Sequence, residues 1–282
     1  MSELRVQHVE KRFGDTHAVK DMTFALTAPK IYGLLGRNGA GKSTLLKLIT
    51  NRLFADSGEI LLDGQSVEEN DAALRQMYLM SEEKMFPPQR RLDDIMRWTQ
   101  AFHDGFDLSR AQALCQAFGL DPHRRVGQLS TGYGSIFHDI LALCVDAPFI
   151  FLDEPVLGLD ANHRDLFYQS LLAAYSDHPR TFVLSTHLIE EVAHVIEDVL
   201  ILKEGALIVQ EPVEALLQRA YTVSGPAHSV DAFAQGQQVL GAASLSGIKQ
   251  LTVLGSVPAV HDPALRFGQP DLQKLFIHLT NA

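Results

Sequence analysis

Cysteine is nearly missing from this chain: Cys115 and Cys144 are the only two among 282 residues. Two thiols cannot build the multi-bridge framework of a small secreted scaffold, and so few fit a reducing compartment. Excess positive charge is lacking as well. The 24 Lys and Arg are outnumbered by 34 Asp and Glu, for a formal net charge of −10. No overall field draws such a chain to nucleic acid or anionic lipid, so no nucleic-acid partner is expected and any phosphate site must be assembled locally. No apolar run approaches the roughly 18 residues of a membrane-spanning helix. The first residues, MSELRVQHVEKRFG, carry charges where a secretory signal needs its apolar centre. The expectation is a soluble, cytosolic chain. What is present, 46% hydrophobic and 21% charged residues, suits a globular protein with one large domain or a domain and an appendage.

Strand patterns come first. LRVQHV (4–9) and MTFAL (22–26) flank a polar turn around Gly14-Asp15, and a strand pair is expected in SGEILLDGQSV (57–67). IYGLL (31–35) reads as a buried strand that passes into GRNGAGKST and then the helical LLKLI. From Leu92 to Phe118 apolar residues recur at helical spacing, through Ile95, Trp98, Phe102, Ala111, Leu114 and Phe118. A helical insertion over about 83–145 is expected there, with Trp98 and Phe102 in its own core. Strands return at FIFL (149–152), TFVLST (181–186), VLILK (199–203) and ALIVQ (206–210), for which parallel βαβ order is the natural reading. Pro212 marks a boundary. The stretch 212–282 reads as a small α/β accessory domain, and a chain ending near 211 is expected to keep its ligand if the cut exposes no large apolar face.

Three elements carry chemistry. Gly36-Arg37-Asn38-Gly39-Ala40-Gly41-Lys42-Ser43, followed by Thr44, fits G-x-x-x-x-G-K-[ST] between a strand and a helix. Glycines let successive backbone N–H groups curl around phosphate oxygens, and the helix adds its positive end. Lys42 supplies charge to the β- and γ-phosphates, and Ser43 offers a hydroxyl to Mg²⁺. FIFLDE then delivers Asp153 as the Mg²⁺ acid and Glu154 as the group able to activate water. His187 ends the strand TFVLST, so three strand ends would converge on one sheet edge. HLIEEVAH (187–194) matches no metal-ligand pattern and reads as a solvated helix face.

GRNGAGKST, LSTGYG (129–134), FIFLDEPVLGLD (149–160) and STH (185–187) occur in the order and approximate spacing of the ATP-binding-cassette (ABC) ATPases, which the chain resembles over about residues 4–211. The resemblance implies an α/β fold: a P-loop NTPase core with an antiparallel β subdomain, the helical insertion and the C-terminal appendage. It implies ATP and Mg²⁺ as cofactors. It also gives LSTGYGSIF a role, since in that family the segment caps the γ-phosphate held by a second subunit in a head-to-tail dimer. Ser130 and the Gly132 N–H, at a helix start, suit that task. By the same resemblance Phe13 stacks on adenine, Asp160 links the two sites, and His187 contacts γ-phosphate and water.

Two departures stand out. Where the family carries a glutamine that reads Mg²⁺, this chain has MYLMSEEK, with Glu82 aligning best and Ser81 or Glu83 possible. Tyr133 replaces the glutamine of the signature segment and is expected at the dimer interface, over the partner's nucleotide or loop. The implied function is the ATP-hydrolysing subunit of an ABC transporter, most like Gram-positive exporters. It would act peripherally at the inner face of the membrane with separate transmembrane permease subunits. A soluble ABC machine acting on DNA or ribosomes, or a binding-only cassette, are the alternatives.

Overall fold

A long hairpin begins the chain, β1 (Glu3–Phe13) and β2 (Thr16–Thr27), closed at Gly14-Asp15 where Gly14 has φ 56°. The structure is a computed structural model describing residues 2–27, 29–81, 86–258 and 262–281. Next come β3 (Ile31–Gly36), α1 (Lys42–Ile49), β4 (Ser57–Leu62), β5 (Gln65–Ser66), α2 (Asp71–Leu74) and β6 (Met77–Met80). Helices α3 (Leu92–Phe102), α4 (Leu108–Ala117) and α5 (Thr131–Cys144) precede β7 (Phe149–Asp153) and α6 (Ala161–Asp177). Then follow β8 (Thr181–Thr186), α7 (Ile189–Val192), β9 (Asp198–Lys203) and β10 (Ala206–Pro212). The rest is α8 (Val213–Gln218), β11 (Ala220–Pro226), α9 (Ala227–Ala234), β12 (Val239–Leu245), β13 (Ile248–Leu254), β14 (Arg266–Gly268) and α10 (Leu272–Asn281).

The described residues form three sheets. An antiparallel sheet runs β2-β1-β4-β5, a six-stranded sheet runs β10-β9-β3-β8-β7-β6, and a third runs β12-β13-β11-β14. In the six-stranded sheet β9, β3, β8, β7 and β6 are parallel. The parallel order expected of 206–210 does not hold: β10 folds back on β9 as an antiparallel hairpin, turning at Glu204-Gly205, both at positive φ. Two residues cannot carry a crossover, so the short link dictates the hairpin.

Side-chain alternation makes the six-stranded sheet the wall between two cores. Ile31, Leu35, Ile150, Leu152, Phe182, Leu184, Val199 and Ile201 face the helices α3 to α7. Tyr32, Leu34, Phe149, Phe151, Val183, Leu200 and Leu202 face α1 and the β1–β2–β4 sheet. Both faces being covered explains why these strands read as continuous apolar runs. The third sheet has a small core of its own around Tyr221, Val223, Val230, Leu251 and Val253. Yet Leu216, Ala220, Leu272, Leu275 and Phe276 belong to the larger core, beside Ile189, Val192 and Ile196.

The buried stripe of α3 is Leu92, Ile95, Met96 and Thr99. Trp98 is 39% exposed and Phe102 81%, so neither forms the core expected of them. The helical period holds, but the apolar stripe is narrower than the list of apolar residues. The Arg90 guanidinium covers the Trp98 ring at 5.0 Å.

Asp139 lies inside α5 at 1% exposure, and neither carboxyl oxygen has a hydrogen-bond partner among the described residues. Burial raises its pKa well above the usual 3.8. The folded chain therefore keeps a proton that the unfolded chain releases above 3.8, and stability falls as pH rises from there toward the folded value. Asp139→Asn should abolish that loss, raising the urea midpoint at pH 7 and leaving it unchanged in acid below the ordinary carboxylate range. An identical shift at both pH values would show that ionisation is not the cause.

Candidate functional site

The site grows from the turn between β3 and α1. Gly39 and Gly41 adopt φ of 81° and 101°, and the Ala40 N–H donates to the Arg37 carbonyl at 3.0 Å. Glycine is required at 41 twice over, because a Cβ there would overlap the Ala18 carbonyl oxygen. The loop therefore sits tightly on β2. Residues Asn38 to Thr44 line a cleft of about 930 Å³ together with Asp15 to Ala18, Lys20, Glu154, Leu157, His187 and Glu204.

At the floor is Lys42, only 6% exposed. Its Nζ donates to the Gly36 carbonyl at 2.8 Å and lies 3.4 Å from Glu154 Oε1. Glu154 follows β7 with φ 52°, a left-handed conformation uncommon outside glycine, and its N–H donates to the Ser185 carbonyl at 2.8 Å. That turn points the carboxylate sideways along the sheet edge. Its Oε2 accepts from Thr186 Oγ1 at 3.1 Å and sits 3.0 Å from His187 Nδ1. Lys42, Glu154 and His187, expected at three strand ends, thus share one hydrogen-bonded group. The hydroxyl of Thr186, not foreseen from the sequence, sits within it; the run TFVLST ends in polar residues where a buried strand would otherwise continue.

Asp153 is buried at the end of β7, and its Oδ1 accepts from Ser185 Oγ at 2.8 Å. Ser43 is exposed in the cleft wall. A hydroxyl and a carboxylate are hard oxygen donors that suit Mg²⁺, an ion that takes its other ligands from phosphates and water. Glu82 and Glu83 lie outside the described residues. Ser81 is buried, and Arg52 reaches it at 3.4 Å while donating to the Leu79 carbonyl at 2.9 Å.

Other expected residues lie outside the cleft lining. Phe13 is 48% exposed near the hairpin end with Lys11 Nζ 5.7 Å from its ring centre, so it is no core residue. Gly36 ends β3, and a Cβ there would meet Ala40 Cβ at 3.0 Å and the Leu202 carbonyl oxygen at 3.1 Å. Arg37 turns away from the phosphate cradle toward the C-terminal helix, donating through Nη1 to Asn281 Oδ1 at 3.2 Å. Behind the loop, Arg37 to Ala40, Leu202, Lys203, Glu204 and Thr280 enclose a second cleft of about 340 Å³. Ser130 caps α5 by accepting from the Tyr133 N–H at 3.3 Å. Tyr133 itself packs edge-on against His163 of its own chain, with ring centres 5.8 Å apart. Asp160 caps α6 by accepting from the His163 N–H at 3.0 Å, and His163 holds its carboxyl below the ordinary pKa through that N–H and through the ring.

A parallel sheet with a phosphate loop after its third strand and acids at the end of another defines a P-loop nucleotide-binding fold. Residues 19–157 match the family described as ABC transporter, so the chain carries a domain of that family over this stretch. It is 29% identical over 195 residues to the ABC transporter ATP-binding protein YtrB of Bacillus subtilis, a match covering 68% of this chain and 65% of that protein. It is 32% identical over 193 residues to Nod factor export ATP-binding protein I of Burkholderia lata, covering 66% and 62%. The match therefore spans less than two thirds of these relatives' length, and further relatives include import proteins. Among solved structures, an ATP-binding subunit of an ABC transporter superposes with a TM-score of 0.68 at 21% identity, covering 76% of this chain and 91% of that one. That likeness bears on the fold.

Proposed function

We propose that this chain is the ATP-binding and ATP-hydrolysing subunit of an ABC transporter, working as a head-to-tail dimer with separate transmembrane permease subunits. Residues 1–211 would form the ATPase unit and 212–282 an accessory unit, the whole sitting peripherally at the inner face of the cell membrane. Among the described residues no helix is long and apolar enough to cross a membrane. Export is the direction favoured by the relative at 32% identity.

The observation that carries this reading is the group made by Lys42, Glu154 and His187 at the mouth of the phosphate loop. In the reading, Lys42 exchanges Glu154 for the β- and γ-phosphates, and the loop N–H groups hold the phosphate oxygens. Glu154, released from Lys42, would orient and deprotonate the attacking water, with His187 contacting both that water and the γ-phosphate. Ser43 and Asp153 would hold Mg²⁺, whose charge offsets that of the phosphates. Ser130 and Gly132 would close over the γ-phosphate of the other subunit, and Phe13 would lie against adenine.

Phosphate release by the purified chain with ATP and Mg²⁺, together with recovery of a membrane protein alongside it, tests the proposal. Tight ATP binding without turnover would favour the binding-only alternative. Lys42→Ala should weaken ATP binding on the order of tenfold to a hundredfold, the worth of a charged hydrogen bond. Equilibrium dialysis with labelled ATP measures it, and parental affinity would place the phosphates elsewhere.

A further inference from the structure

We propose that Tyr133 and His163 form a joint holding the Ser130 segment and the Asp160 segment together as one body, so that His163 is a positioning residue for the composite site. The inference rests on the reading above, in which the Ser130 segment acts on nucleotide bound by a second copy.

The two segments are built alike. Ser130 caps α5 through the N–H of Tyr133, and Asp160 caps α6 through the N–H of His163. Each cap thus accepts the backbone N–H of the residue three positions on. The side chains of those two residues are in contact, with ring planes at 73° and centres 5.8 Å apart, an edge-to-face pair. The His163 ring also stacks on Phe118, with centres 6.0 Å apart and planes at 11°. Its Nδ1 lies 2.8 Å from Asp160 Oδ2 while Oδ1 takes the backbone N–H, so both carboxylate oxygens are engaged at one helix start. The histidine is held on three sides.

The backbones also approach. A Cβ on Gly132 would come 3.4 Å from the Gly158 carbonyl oxygen and 3.9 Å from Leu159 Cδ2. The segment expected to cap a phosphate therefore rests directly on the segment that carries Asp160. A glutamine at 133 has no ring to present to the imidazole. Tyrosine there gives the helix start an aromatic ring where the resembling family uses an amide, and that ring meets His163, which itself stacks on Phe118. Within its own chain, Tyr133 has the His163 ring as its partner.

Displacing one segment then displaces the other. Because misplacement of positioning groups by about 1 Å can cost on the order of a hundredfold in rate, the joint should register in turnover and not in the monomer's own ATP affinity. The test is a double-mutant cycle on the full chain. Tyr133→Ala, His163→Ala and the double variant are compared with the parent for kcat, KM and ATP affinity at a dilution that keeps the chain monomeric. Each single variant should lower kcat about tenfold to a hundredfold with monomer affinity retained, and the double should be no worse than either single. Tyr133→Phe keeps the ring and should recover most of the loss. Should Tyr133→Ala fail to fold by circular dichroism, Tyr133→Leu retains bulk without the aromatic edge and replaces it in the cycle. Losses that multiply in the double variant, or a parental kcat for His163→Ala, would overturn the joint. A parent that neither hydrolyses ATP nor dimerises with it would bring down the functional reading and the joint together, whereas an active parent with an additive cycle removes the joint alone.

Discussion

Glu154→Gln should bind ATP as tightly as the parent, or more tightly, while its turnover falls by about 10²–10⁴-fold, the usual contribution of a positioned general base. The geometry separates the two effects. Glu154 Oε1 lies 3.4 Å from Lys42 Nζ, so the carboxylate shares the cation that phosphate would need. An amide removes that competing charge without changing shape. Oε2 meanwhile takes the Thr186 hydroxyl and faces His187 Nδ1, and an amide nitrogen there can no longer accept a proton from water. Loss of turnover with retained binding is the signature of an interaction made in the transition state. In ultracentrifugation the variant should also accumulate as an ATP-bound dimer, since closure no longer leads to hydrolysis. Phosphate release at the parental rate would take Glu154 out of the chemistry and leave its left-handed φ of 52° unexplained by function.

Much of the site was legible because its chemistry is local in sequence. GRNGAGKST contains its own turn, donors and cation, and the strand IYGLL before it became β3 with every residue buried. The convergence of Lys42, Glu154 and His187 was legible too, since parallel strands bring their C-terminal ends to one edge. Elements whose placement depends on distant partners were not. The four residues of β6, MYLM, are too few for a pattern, and the strand exists because β7 offers it a parallel edge. Trp98 and Phe102 fall on a helical repeat, yet the neighbouring helices cover only Leu92, Ile95, Met96 and Thr99. Tyr133 had an unusual identity without a visible partner, because His163 is 30 positions away and Phe118 lies on the other side in sequence. Nothing in a single chain's pattern pairs them.

The packing of the C-terminal helix was not legible for the same reason, and its consequence is a large effect on stability. LQKLFIHL reads as part of a separate appendage, but Leu272, Leu275 and Phe276 complete the apolar surface formed by Ile189, Val192 and Ile196 in the main core. The imidazole of His278 lies where a Cβ on Gly241 would overlap it, so β12 closes the helix in from the other side. The last turn then reaches the phosphate loop through Asn281 and Arg37. A cut near residue 211 therefore exposes an apolar face, and the condition under which such a chain would keep its ligand is not met. Phe276→Ala should destabilise the full-length chain by about 3–5 kcal/mol, because the ring is 6% exposed and its site is walled by packed side chains. Asn281→Ala, a surface change, should stay within about 0.5 kcal/mol. Urea unfolding followed by circular dichroism measures both. If the phosphate loop and α10 belong to one cooperative unit, ATP should raise the midpoint of Phe276→Ala by as much as that of the parent, through mass action on a single folded state. Two separate transitions, with ATP moving only the second, would show instead that α10 unfolds independently of the site it touches.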